Sequence, residues 1–132
     1  MKDPVLHKKF IFNDNIDSSF LFSLYEDDFQ YMEEIFKTTL DQLDQEIPGI
    51  STAFNDKDIT GLQKIVHKIK PAFGFTGFLS TELACKEFED ACIEVSRIDE
   101  LAPLFHSLWT LLLKSIDIMH QQYDLLKEFN NQ

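Results

Sequence analysis

Glycine and proline are scarce in this chain, with four of each among 132 residues. A sandwich or barrel of many short strands needs far more turn residues, so that architecture is excluded. Cysteine is scarcer still, with two, Cys85 and Cys92, spaced by seven. On a helix that spacing is two turns, about 10 Å along the axis, whereas a disulfide tolerates Cα atoms no more than about 7 Å apart. The pair therefore reads as two buried thiols in a reducing compartment. Positive charge is in deficit: 12 Lys plus Arg stand against 23 Asp plus Glu, a formal charge of −11. Recognition of a phosphate backbone needs a basic footprint, so proteins rather than nucleic acids are the expected partners. Long apolar runs are missing too. The most apolar stretch, Leu101 to Met119, is interrupted by His106, Lys114 and Asp117, and reads as a core helix rather than a membrane span. The opening Met1-Lys2-Asp3-Pro4-Val5-Leu6-His7-Lys8-Lys9 has neither an uninterrupted apolar region nor a small-residue cleavage site. No signal peptide is expected, and a cytoplasmic location is.

What remains is 44% hydrophobic residues in one domain's length of chain, and they recur at helical spacing. Residues 1–16 read as an irregular lead-in, partly packed through Phe10 and Phe12. Asp17 or Ser18 can cap a short helix carrying Phe20, Leu21 and Leu24. Phe29, Met32, Ile35, Phe36, Leu40, Leu43 and Ile47 form one stripe of a second helix, from about Asp27 to Ile47, that Pro48-Gly49 is expected to stop. A third helix starts after Asp58 as N-cap and carries Leu62, Ile65, Ile69, Phe73 and Thr76, with Val66 and Ala72 at its margins and Gly77 as its stop. A fourth opens near Ser80 and buries Ala84, Phe88, Ala91 and Val95, with the cysteines alongside. A fifth runs from near Asp99 to about Phe129, with Pro103 close enough to its start to be tolerated. The expected fold is all-α: an antiparallel up-down four-helix bundle over residues 17–129 with a short additional N-terminal helix, and a frayed end at 130–132.

The third helix carries the chemistry. At about 100° per residue, its apolar residues centre almost opposite His67, so this imidazole points to solvent from a core-packed helix. Thr60, Gln63, Lys64, Lys70, Pro71, Gly74 and Phe78 share its face. Pro71 and Gly74 are poor choices for a helix interior, at about 3 and 1 kcal/mol relative to Ala. Breaking that local rule beside one exposed histidine marks a functional site, and the small residues would let a bulky partner approach the ring. A neutral imidazole is a nucleophile. If it took a phosphoryl group, Lys70, and with it Lys64, would pair with the oxygens. On this helix face no Asp, Glu or second His lies within one turn, which speaks against an acid/base dyad and against a metal site.

The run His67-Lys68-Ile69-Lys70-Pro71-Ala72-Phe73-Gly74-Phe75-Thr76-Gly77 resembles the signature of histidine-containing phosphotransfer (HPt) domains. His67, Ile69, Lys70, Ala72 and Gly77 match; the sequence departs at Pro71, where Gly is commoner, and the site stays small. Cys85, Phe88 and Glu89 resemble the small–apolar–acidic pattern of the family's next helix. The resemblance implies that His67 accepts a phosphoryl group from a receiver-domain aspartyl phosphate and passes it to another receiver, with Lys70 as electrostatic helper. It implies a phosphocarrier without a kinase site of its own and without a cofactor, the Mg²⁺ being the receiver's. Receiver domains or a hybrid histidine kinase are the implied partners, and a monomer the default state. Gln63, Lys64, Pro71, Gly74 and Phe78 are candidates for partner docking, although Phe78 suits the core better, and Gly77 is structural. Two other classes remain: a passive helical adaptor, in which His67 is replaceable, and a metal-holding bundle, which needs inward carboxylates that the stripes do not supply. His7, His106 and His120 carry no catalytic expectation, since His106 and His120 stand about 21 Å apart on one helix.

Overall fold

The computed structural model describes residues 9–132. Five α-helices follow in order: α1 (Ser18–Tyr25), α2 (Phe29–Asn55), α3 (Ile59–Phe75), α4 (Leu79–Glu94) and α5 (Ala102–Asn130), with a 3₁₀ turn at Ile98–Leu101 before α5. Helices α2 and α4 each pack against both α3 and α5, so the four long helices close a ring. Their three-residue connections, 56–58 and 76–78, make α2, α3 and α4 antiparallel neighbours. The signal-peptide reading and His7 fall within 1–8, outside the described residues.

Aspartates begin three of the helices. Asp17 accepts from the Phe20 N–H at 2.9 Å, Asp28 from Tyr31 at 3.0 Å and Asp58 from Gly61 at 2.9 Å. Each satisfies a donor that the first turn leaves free. The core they frame holds Phe36, Leu43, Ile50, Leu62, Val66, Ile69, Phe73, Phe88 and Leu112, all fully buried. Phe12 is buried and stacks on Phe36, which ties the lead-in to α2. The thiols of Cys85 and Cys92 are free and buried. No helix among the described residues is long and apolar enough to cross a membrane.

Two expectations are corrected. Pro48 does not stop α2, which runs two turns further to Asn55. Pro48 lies on the exposed side, as does Asp44, whose carbonyl loses its helical donor there. The apolar stripe meanwhile continues beyond it through Ile50 and Ala53, both buried, and that packing outweighs one lost hydrogen bond. The buried arc of α3 is also wider than one stripe. Val66 and Ala72 are core residues and Gly74 is buried, because α3 is flanked by α2 on one side and α4 on the other.

Candidate functional site

The site begins at the end of α3. The last four carbonyls of a helix have no helical partner, and here each finds one. Ala72 accepts from the Thr76 hydroxyl at 2.8 Å, Phe73 from the Phe78 N–H at 2.8 Å, Gly74 from the Gly77 N–H at 3.1 Å and Phe75 from the Tyr25 hydroxyl at 2.9 Å. The Phe73–Phe78 and Gly74–Gly77 bonds are a Schellman closure, which requires a left-handed residue, and Gly77 supplies it at φ +81°. The Gly77 carbonyl accepts in turn from the Asp17 N–H at 2.8 Å. Helix α1 is thus tied to the end of α3 at two points, and α3 is held rigidly two turns beyond His67.

His67 stands out from this helix with 67% of its side chain exposed. Its ring is not alone. Nδ1 lies 2.5 Å from Oε1 of Glu89, which reaches across from α4. Glu89 Oε2 lies 2.7 Å from the Lys70 Nζ. One carboxylate, 8% exposed, therefore bridges the histidine and the lysine. A carboxylate so buried needs partners, and Lys70, with a quarter of its side chain exposed, lies over it. The contact at Oε2 is an ion pair without an aligned hydrogen bond, since that buried oxygen has no partner of proper geometry.

The carboxylate places the proton. A carboxylate oxygen accepts, so in this bond Nδ1 carries the hydrogen and donates it, and in the neutral form of the ring the lone pair is left on Nε2. Among the described residues Nε2 makes no hydrogen bond. The geometry yields an outward, tautomer-set imidazole nucleophile beside one cation.

The absence of an acid within a turn of His67 on α3 holds for that helix alone, because the partner comes from α4. Periodicity within one helix cannot see across to the next. The signal was Glu89 itself, an acidic residue next to Phe88, on the buried side of a helix. Of the docking candidates, Lys64 and Pro71 are exposed and Gln63 is half-buried. Gly74 and Phe78 are corrected. Phe78 is 2% exposed and packs edge-on against Phe73 inside the core. Gly74 is buried beneath the Glu82 side chain, whose carboxylate would have to shift to admit a Cβ there. It is covered by a side chain of α4 and so presents no open surface to a partner. Gly77 is structural, since its positive φ and the nearness of Ile16 and Leu21 both exclude a side chain. His106 lies against the Phe54 and Phe105 rings, and His120 is 3.9 Å from Asp44. Among the described residues no three His, Cys, Asp or Glu side chains gather as metal ligands.

Burial also sets the thiols. Cys85 is pushed up to about 12, chiefly by removal from water and further by the Glu89 charge. Cys92 is raised to about 11 for the same two reasons. Neither is a nucleophile near neutral pH.

Comparison with known proteins follows the geometry. A family model described as Hpt domain matches residues 34–126. The fold is similar to a crystal structure of the HPT domain from a sensor hybrid histidine kinase of Shewanella, with a TM-score of 0.63 over 89% of this chain and 95% of that one. At 20% identity that likeness speaks for the fold. Among curated proteins no match was found.

Proposed function

The chain belongs to the Hpt domain family, and from that premise we propose that His67 accepts a phosphoryl group from a receiver-domain aspartyl phosphate and passes it to another receiver. Hpt domains are phosphocarrier modules of two-component phosphorelays, not kinases, and they interact with receiver domains and histidine kinases. The observation that carries the residue assignment is the His67 ring: exposed, bonded through Nδ1 to Glu89, with Nε2 left without a hydrogen bond among the described residues.

The steps follow from that geometry. A receiver docks with its acyl phosphate over His67. Nε2 attacks phosphorus in line, the N–P bond forms, and the P–O bond to the aspartyl carboxylate breaks. Glu89 holds the Nδ1 proton and offsets the positive charge that grows on the ring. Lys70, one turn along the same face, offsets the charge on the phosphoryl oxygens. Transfer onward runs the same path in reverse. The chain needs no resident cofactor for this; the Mg²⁺ is the receiver's and supplies further charge stabilisation there. Lys64 and Pro71, both exposed on this face, are in position to meet the receiver's surface. The reading includes a monomeric carrier acting in the cytoplasm.

The test incubates the chain with a phosphorylated receiver and Mg²⁺ and follows phosphate onto it. An acid-labile, alkali-stable label is expected, and His67→Gln should carry none. A label that survives in His67→Gln places the phosphosite elsewhere. No label from any receiver favours the passive adaptor.

A further inference from the structure

Glu89 serves two groups with one buried carboxylate, and the two contacts are not equal. The bond to Nδ1 is short and aligned, at 2.5 Å. The contact to Lys70 is close, at 2.7 Å, yet it leaves Oε2 without a directed hydrogen bond. Lys70 is held there by charge alone, on a flexible stem with three donors free to turn. It also lies three residues from His67 on α3, within one turn on the same face as the ring.

We propose that Lys70 has two seats: Glu89 while His67 is bare, and the phosphoryl oxygens once Nε2 carries them. This rests on the reading that His67 is the phosphosite. A phosphoryl group brings about two negative charges against one on the carboxylate, and three strong acceptors against one misaligned oxygen. The ammonium therefore moves to it. Its departure returns the whole Glu89 charge to the Nδ1–H edge of the ring. The imidazole is then held protonated at Nδ1, which is the form that releases phosphorus most readily from Nε2. Glu89 thus opposes Lys70: the lysine steadies the phosphoryl group, and the carboxylate keeps it transferable. Glu89 is a positioning residue here, acting through Lys70 and the ring.

The experiment needs no partner protein. Phosphoramidate serves as donor: the Nε2–P bond forms, the donor's P–N bond breaks and ammonia leaves. The ¹⁵Nζ signal of Lys70 is followed before and after loading, and the phosphohistidine half-life is measured in wild type, Glu89→Gln, Lys70→Met and the double variant. Expected are a clear shift of the Lys70 signal on loading and a half-life several-fold longer in Glu89→Gln. Lys70→Met should shorten the half-life, and adding Glu89→Gln to it should lengthen it again, because the loaded ring faces the free carboxylate whether or not Lys70 is present. A gain in both backgrounds shows the carboxylate acting on the ring, and the NMR shift in wild type needs no variant to fold. A Lys70 signal unmoved by loading overturns the proposal, as does a Glu89→Gln half-life no longer than that of the wild type. A chain that takes no phosphoryl group at His67 overturns the phosphosite reading as well.

Discussion

A histidine's nucleophilicity depends on which nitrogen holds the proton, and Glu89 makes that choice for His67 from a different helix. The exposed histidine, the cation one turn on and the small residues beyond were legible in α3 alone. The carboxylate was not, because its contact exists only once α4 lies against α3. Gly74 shows the same limit from the other side. Its place on the His67 face was read as access, whereas Glu82 lies over it. Two predictions belong at this scale. Lys70→Ala should slow transfer or shorten the phosphohistidine lifetime about tenfold, in line with loss of one charge-assisted contact, while the far-ultraviolet dichroism stays unchanged; equal rates would remove Lys70 from the reaction. Cys85 and Cys92 should resist alkylation at pH 8 in the folded chain and react at once in urea. Their raised values also set a sign for stability. Below about pH 9 folded and unfolded thiols both keep their protons; above it only the unfolded chain sheds them, so stability falls as pH rises towards 11–12. Urea midpoints that stay flat from pH 8 to 10.5 would contradict that burial.

At the scale of elements, helix starts were easier to read than helix ends. Asp17 and Asp58 were visible as caps because a short acceptor before an apolar run has a local cause. Pro48-Gly49 looked like a stop for an equally local reason, and packing of Ile50 and Ala53 overrode it. Gly77 was a true stop, since its left-handed backbone is needed there. Gly77→Ala should therefore lower stability by about 2 kcal/mol, from the conformational cost of the left-handed state with crowding added, as read from the urea midpoint. Tyr25→Phe should leave the Phe75 carbonyl without its donor and cost about 1 kcal/mol. Amide exchange in α1 should speed up more than exchange in α2 or α5, because α1 packs lightly on α2 and is otherwise tied by two hydrogen bonds to the end of α3. Uniform loss of protection across all helices would show that α1 is not a separate unit.

At the scale of the whole molecule, apolar periodicity with few turn residues was enough to specify a ring of helices. The order of neighbours follows from short connections that allow only antiparallel packing. The Thr81 and Ser115 hydroxyls, both buried, form a polar bridge between α4 and α5 at 2.7 Å. The site is a surface feature of that bundle. It needs two helices in register: α3 presents the histidine and the lysine, and α4 presents the acid that orients one and holds the other. A single-helix reading finds a nucleophile; the bundle makes it a tautomer-set one beside a movable cation.

The central claim is that His67 both takes and returns a phosphoryl group. The most direct measurement loads the chain with labelled phosphate, removes the donor, adds a second unphosphorylated receiver with Mg²⁺ and follows where the label goes. The account predicts transfer to the receiver well ahead of spontaneous hydrolysis, and none through His67→Gln. Label that leaves only as inorganic phosphate, or a His67→Gln chain that still relays it, would contradict the account.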